Sequence, residues 1–306
     1  MSAANGEGHH LYGTGMNNLC QLFESSGANH FSPIWIADDV VDMAASARCS
    51  AYVTTSGELI GIGGNGSYEL GQGNRDAYTT PVLIASDVVQ VEMGDFHTLF
   101  QKADGSILAC GSNNHGKLGI GSDASYGTTP QAVSGTYVTF RVGSSHSAFL
   151  ASDGSIHTTG WNTYGQLFNG SMTPESSNTP IAAATSFEFV AATYNTTLGI
   201  DSEYKLWGSG NNSYNQLTDT ASVSLSTLTL LAENVIEADS GTDFTVYLTA
   251  DGQLFGRGQN SYGQLGTATG AQPVLIANNV ASFSCDTFTL RFITDNGDLF
   301  IACSLL

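Results

Sequence analysis

Short apolar runs, separated by turns rich in Gly, Asn, Asp and Ser, follow one another along the whole chain. In one stretch Val89 to Met93 and His97 to Lys102 are apolar runs, Asp104-Gly105 is a turn, Ile107 to Cys110 is a third run, and a fourth lies near Pro130 to Val133. Asp-Gly between apolar runs is a hairpin signal, because glycine takes a positive φ at no steric cost. The stretch therefore reads as a four-stranded meander. Such a sheet cannot bury both faces alone, so copies must stack, and radial stacking leaves only short edges open.

The same unit recurs. The token G-x-N followed five residues later by Leu occurs as GMNNLCQL, GGNGSYEL, GSNNHGKL, GWNTYGQL, GNNSYNQL and GQNSYGQL. Its asparagines are Asn17, Asn65, Asn113, Asn162, Asn212 and Asn260, spaced by 48, 48, 49, 50 and 48 residues. The leucines Leu22, Leu70, Leu118, Leu167, Leu217 and Leu265 keep the same intervals. A fixed period of this size marks a solenoid, propeller or array. A second token, a turn ending in glycine, stands as Ser56-Gly57, Asp104-Gly105, Asp153-Gly154, Asp251-Gly252 and Asn296-Gly297, with Ser202-Glu203 as the departure.

These intervals predict an all-β chain forming a single closed β-propeller of six blades, each of four antiparallel strands. The expected units are approximately 40–87, 88–135, 136–185, 186–233 and 234–278, with a closing blade of 279–306 plus 9–39. The N-terminal part begins inside a unit, at a third strand, Leu11 to Gly15, whereas the C-terminal part supplies the first and second strands, Val280 to Thr294, and a stub, Leu299 to Cys303. Pairing of the N- and C-terminal segments in one blade is therefore the expected closure. Both Leu11 to Gly15 and Leu299 to Cys303 fit its third-strand place.

Composition narrows the chemistry. The 306 residues include 36 glycines, with only 11% charged and 41% hydrophobic residues, which suits short strands and tight turns. No apolar stretch is long enough to span a membrane, and the opening MSAANGEGHH lacks the basic start and apolar run of a secretory signal. Five scattered cysteines, Cys20, Cys49, Cys110, Cys285 and Cys303, form no zinc-like pair. A cytoplasmic or nuclear monomer with reduced thiols is expected, not a secreted protein. Eight basic against 27 acidic residues leave a charge of −19, which repels phosphate backbones and attracts basic protein surfaces. Direct nucleic-acid binding is not expected.

The order first strand, G-x-x-H-T, D-G, L-x-x-x-G-x-N-x-x-G-Q-L-G and P-x-x-I resembles the RCC1 repeat, most fully in Val89 to Val133 and in Val235 to Ala277. The resemblance covers nearly the whole chain and implies the propeller fold. The family's founding member is a seven-bladed exchange factor for the small GTPase Ran. Six repeats, and the absence of an inserted β-wedge or a basic tail, separate this chain from that member, so fold carries over and exchange does not follow from it.

In the family, residues important for exchange sit in loops between first and second strands. The matching loops here include Gly94 to Thr98, Gly143 to Ser147, Tyr194 to Thr196 and Gly241 to Thr245. His97 and His146 keep the motif histidine, which Cys49, Asn195, Phe244 and Phe288 replace elsewhere. Asp95 and Asp243 match positions where the exchanger presents acids to its GTPase. The partner-binding candidates are thus Asp95, His97, His146 and Asp243, weighed against the plainer reading that the histidines fix the loops and the acids face water. Trp161, Tyr164, Tyr214 and Tyr262 follow the G-x-N turn, as a recognition surface or as inter-blade packing.

Two apparent nucleotide motifs fail. Gly111 to Lys117 imitates a P-loop, but Leu118 stands where a Mg²⁺-binding hydroxyl is needed, and Gly61 to Gly66 lacks a following helix for a pyrophosphate. No cofactor, metal site or catalytic motif is expected. The expected role is a regulatory protein-interaction propeller holding a Ran-like small GTPase or another protein by one loop face. The alternatives are an active guanine-nucleotide exchange factor and a secreted inhibitor or adhesin.

Overall fold

The computed structural model describes residues 9–220, 222–266 and 270–302. These residues form 24 strands in six antiparallel sheets, and the only helical element among them is one 3-10 turn, Asn114–Gly116. The first sheet holds β1 (His9–Gly15), β2 (His30–Ala45), β3 (Cys49–Thr54), β4 (Leu59–Gly63) and β5 (Tyr78–Ala85). The second holds β6 (Val88–Met93), β7 (His97–Lys102), β8 (Ile107–Ser112) and β9 (Tyr126–Ala132), and the third β10 (Thr139–Val142), β11 (His146–Leu150), β12 (Ile156–Trp161) and β13 (Ser176–Ala184). The fourth holds β14 (Phe187–Thr193), β15 (Thr196–Asp201), β16 (Leu206–Asn211) and β17 (Ser224–Ala232). The fifth holds β18 (Val235–Ser240), β19 (Phe244–Thr249), β20 (Leu254–Gly258) and β21 (Gly270–Ala277), and the sixth β22 (Val280–Asp286), β23 (Thr289–Thr294) and β24 (Leu299–Ala302). Every sheet is a meander in chain order, with tight turns joining first, second and third strands and a longer loop, which begins with the G-x-N token, before each fourth strand.

The repeat token is an internal cap. In all six copies the asparagine Oδ1 accepts the backbone N–H of the leucine five residues on, at 2.7 to 3.1 Å. Its Nδ2 donates to carbonyls of the following loop, as Asn162 does to Ser171 at 3.1 Å and Pro174 at 2.9 Å. The turn's buried polar groups are thereby satisfied, which lets the leucine enter the core. Leu70, Leu118, Leu167, Leu217 and Leu265 are fully buried. Each such burial contributes about 2 kcal/mol.

Packing divides the chain into two compact units, Met1–Val142 with Asn178–Pro180 and Gly143–Ser177 with Ile181–Leu306. Within each unit the cores lie between consecutive sheets. In the first, Ala51, Val53 and Leu59 meet Val88, Val91 and Phe100 of the next sheet. In the second, Leu198 and Leu206 meet Val235 and Ala238, and Phe244 and Leu254 meet Phe283 and Phe292. Stacking of copies is thus what buries each sheet's apolar faces. No helix among the described residues is long and apolar enough to cross a membrane.

The expected closure is corrected. Among the described residues the N- and C-terminal segments share no sheet. β1 pairs with residues 30–37 of β2, and its partners Leu11↔Ala37, Tyr12↔Trp35 and Gly13↔Ile34 repeat, 48 residues earlier, Leu59↔Ala85, Ile60↔Leu83 and Gly61↔Val82 of β4 and β5. Residues 40–45 of β2 pair with β3, Val40 also facing His9 of β1, and Asp39, at φ 57°, turns the chain between the two halves. β24 fills the third-strand place beside β23. Each terminal third strand has therefore kept the neighbour adjacent to it in sequence, the pairing with the lower loop-closure entropy. Cys303, the last residue of the expected stub, lies outside the described residues.

Candidate functional site

Strand register identifies the repeated loop position. Cys49, His97, His146, Thr196 and Phe244 each open a second strand and lie opposite Gly63, Gly111, Gly160, Gly210 and Gly258. Thr196, not Asn195, is the equivalent of the histidine, and in the last sheet Thr289 opens β23, not Phe288. The expected Asn195 and Phe288 are each one residue early, because a threonine stands in the histidine's place in both loops.

The residue before this position latches the loop. Its carbonyl accepts an N–H from just beyond the opposing glycine: Arg48 from Gly64 at 2.8 Å, Phe96 from Ser112 at 2.7 Å, Ser145 from Trp161 at 2.9 Å, Asn195 from Asn211 at 2.9 Å and Asp243 from Gln259 at 2.9 Å. The glycine allows this approach. A Cβ on Gly111, already at φ 108°, would stand 2.6 Å from the Phe96 carbonyl oxygen. The motif threonine adds a latch to the preceding repeat, with Thr98 Oγ1 donating to the Glu69 carbonyl at 2.6 Å and Thr197 Oγ1 to that of Gln166 at 2.7 Å. The loops are thus held from beneath, and their outer side chains are presented on a fixed backbone.

The four candidates separate on burial. His97 and His146 are fully buried and lie under the loops, out of a partner's reach. His146 Nε2 meets Thr197 Oγ1 at 2.8 Å, and burial pushes the imidazole down to about 4, so it is neutral at physiological pH. Asp95 and Asp243 are on the surface side, though not at equivalent positions: Asp243 matches Phe96, one residue nearer the strand.

In the first unit Asp95 is exposed next to Phe96, whose ring has the Arg48 guanidinium at 5.5 Å and the Lys117 ammonium at 5.8 Å. Lys117 is itself buried. Desolvation lowers its amine to about 8, against the pull of Asp95 and Glu69. The lysine of the apparent P-loop is therefore occupied beneath an aromatic ring. In the second unit Asp243 is half-buried, and burial alone raises its carboxyl above the ordinary value. No side-chain hydrogen bond reaches it among the described residues. Other acids are compensated: Asp42 accepts the Val91 N–H at 2.8 Å, Asp239 that of Cys285 at 2.9 Å, and Asp153 the Ser155 hydroxyl at 2.6 Å. A partly desolvated, uncompensated carboxylate costs folding energy and is a feature of functional surfaces.

Exposed aromatic side chains share these loops. Phe96, Tyr194 and Phe288 lie just before second strands, and Tyr214 and Tyr262 follow the G-x-N turn. Tyr262 packs on Phe288 with ring centres 5.1 Å apart, while Trp161 and Tyr164 meet edge to face at 5.8 Å. Packing accounts for Trp161, Tyr164 and Tyr262, within one turn for the first two and against the next sheet for Tyr262. Phe96, Tyr194 and Arg48 were missed in sequence because the repeat does not fix the residue type there. The described cysteines Cys20, Cys49, Cys110 and Cys285 are free, and among the described residues no group of three or more His, Cys, Asp or Glu side chains is placed to hold a metal ion.

Comparison with known proteins agrees with the repeat. Models of the regulator of chromosome condensation (RCC1) repeat match residues 56–101 and 104–150, and, in a second form, 88–117, 138–166 and 235–264. No curated protein sequence matches the chain. Among solved structures it is similar to human WBSCR16 (20% identity, TM-score 0.80, covering 95% of this chain and 87% of that one). It is also similar to Prp20p of Saccharomyces cerevisiae (17%, TM-score 0.82, covering 96% and 81%), and to yeast RCC1 (Prp20) bound to Kap60 (16%, TM-score 0.81, covering 95% and 77%). Six stacked meanders with one capped turn per repeat make the chain a six-bladed β-propeller, whose residues 56–166 and 235–264 match the RCC1 repeat and whose fold is that of the similar structures.

Proposed function

We propose that this chain is a regulatory protein-interaction propeller, which presents the loops between its first and second strands to a protein partner. The observation that carries the reading is Asp243: a half-buried carboxylate that no side-chain hydrogen bond reaches among the described residues, on a loop whose backbone is latched to Gln259, three residues before the exposed Tyr262. A cation from a partner would compensate it, and tyrosine is enriched at such surfaces. The overall charge of −19 favours a basic partner surface.

A small GTPase of the Ran type is the partner class of first choice. The structure of the similar yeast protein Prp20p was described with its binding to Gsp1p and histones. Exchange is the second reading. It needs only preferential binding of the nucleotide-free GTPase, so it requires none of the catalytic groups that the sequence lacks.

The test is release of a fluorescent GDP analogue from Ran, together with a direct binding measurement. A pure platform binds without accelerating release, and Asp243→Ala or Asp95→Ala weakens binding. An exchange factor accelerates release, and the same substitutions slow it. If Ran neither binds nor releases nucleotide faster, the GTPase assignment fails. If Asp243→Ala leaves binding to a captured partner unchanged, the loop assignment fails.

A further inference from the structure

In the first five sheets the third strand (β4, β8, β12, β16 or β20) lies between a second and a fourth strand. In four of these sheets the residue that starts the third strand faces an alanine near the end of the fourth, as in Leu59↔Ala85, Ile156↔Ala184, Leu206↔Ala232 and Leu254↔Ala277. β24 differs. It pairs with β23 through Ile293↔Leu299, Phe292↔Phe300 and Arg291↔Ile301, and no fourth strand lies beside it among the described residues. Leu299, Phe300 and Ile301 are 61%, 47% and 58% exposed, whereas Leu59 and Ile62 of β4 are fully buried.

An apolar edge without proline or charge is an open template for strand addition. Four of the five other fourth strands carry a proline, Pro81, Pro130, Pro180 or Pro273, which removes a donor from the strand, while β17 has none. β24 carries no proline either. The charges of this sheet and its turns are mainly acidic, with Asp286, Asp295 and Asp298 against one cation, Arg291, which is already bridged to Asp286 at 3.3 Å.

We propose that the edge of β24 takes an extended peptide from a partner protein as a fourth strand, apolar at alternate positions and basic at its ends. The other sheets define the geometry: an antiparallel strand with small and branched apolar residues facing Leu299 to Ile301, as Val82 to Ala85 face the third strand of the first sheet. This site is separate from the loop face and stands whether or not that face binds a GTPase.

The probe is a fluorescent peptide with the sequence of Thr79–Ala85 and a lysine added at each end, titrated with the full chain by fluorescence anisotropy. Saturable binding is expected, with slowed amide exchange confined to Leu299–Ala302 and their pairing partners. Ile301→Lys and Ile301→Pro should each weaken it about ten-fold or more. Aspartates in place of the two lysines should weaken it at low salt and matter little at high salt. Because Ile301 is exposed, Ile301→Lys is expected to fold, as unchanged circular dichroism would show. No saturable binding, or equal affinity in both variants, overturns the proposal. So does light scattering that shows a dimer dissociated by Ile301→Lys, since a second copy would then hold the edge.

Discussion

Asn162 Oδ1 accepts the N–H of Leu167 at 2.9 Å, and the same pair recurs in every repeat of the chain. The bond explains why the two residue types keep a spacing of five through all six copies. Asparagine alone offers, on one short side chain, an acceptor for the leucine amide and a donor for the loop carbonyls. Asn162→Ala should destabilise the protein by about 3 kcal/mol, because it strands a buried amide and two carbonyls. Asn162→Asp should also destabilise it, since a carboxylate keeps the acceptor but opposes the Ser171 and Pro174 carbonyls. Urea unfolding of both variants measures this, and a neutral Asn162→Ala would show that the cap is not what holds the turn.

Gly111 and Gly105 both have positive φ, at 108° and 86°, but only Gly111 is crowded. A Cβ there meets the Phe96 carbonyl at 2.6 Å and His97 Cα at 2.7 Å, whereas one on Gly105 meets nothing within 4 Å. Gly105→Ala should therefore cost about 1 kcal/mol from backbone strain alone, and Gly111→Ala several times that, with displacement of the Asp95 loop. Thermal midpoints of the two variants separate space from strain.

Acid should unfold the protein partly through His146. Its folded pKa is lowered to about 4, so an unfolded chain takes up a proton near pH 6.5 that the folded one refuses. This component of stability is full above the unfolded value and is lost as pH falls from 6.5 towards 4. By pH 5 the loss amounts to about 2 kcal/mol. His146→Gln should remove it: the difference in urea midpoint between pH 7 and pH 5 should be larger for the parent than for the variant.

Asp243 should trade stability for binding. Its carboxyl is raised by burial, so the folded state disfavours the charged form, and stability falls as pH rises from the ordinary carboxyl value through the raised one. Asp243→Asn should leave the melting temperature at pH 7 unchanged or higher while weakening the partner complex. A lower melting temperature with binding intact would mark Asp243 as structural.

The fold was legible because its signals are local and repeated. Asn-to-Leu spacing, Asp-Gly turns and apolar runs act within a few residues, so each copy announces its own meander, and β6 to β9 fall within a few residues of the expected strands. The repeat also marked the loops that open second strands. It could not show that His97 and His146 point inward, because one motif residue is compatible with either side of a loop until the preceding repeat packs against it. Nor could it single out Asp243, whose lack of a partner is a property of the space around it. Asp95 and Asp243 look alike in sequence but differ in burial.

Sequence by itself determined the period, the number of sheets, the strand order within the second to fifth of them and the residues that cap the turns, since all of these rest on backbone geometry and hydrogen bonds between near neighbours. The pairing of the ends was decided only in three dimensions. Two segments with third-strand character, Leu11 to Gly15 and Leu299 to Ala302, each found a partner in adjacent sequence, β2 for one and β23 for the other. Strand pairing has no preference written in composition when two segments carry the same pattern. The edge of β24, open among the described residues, follows from that choice.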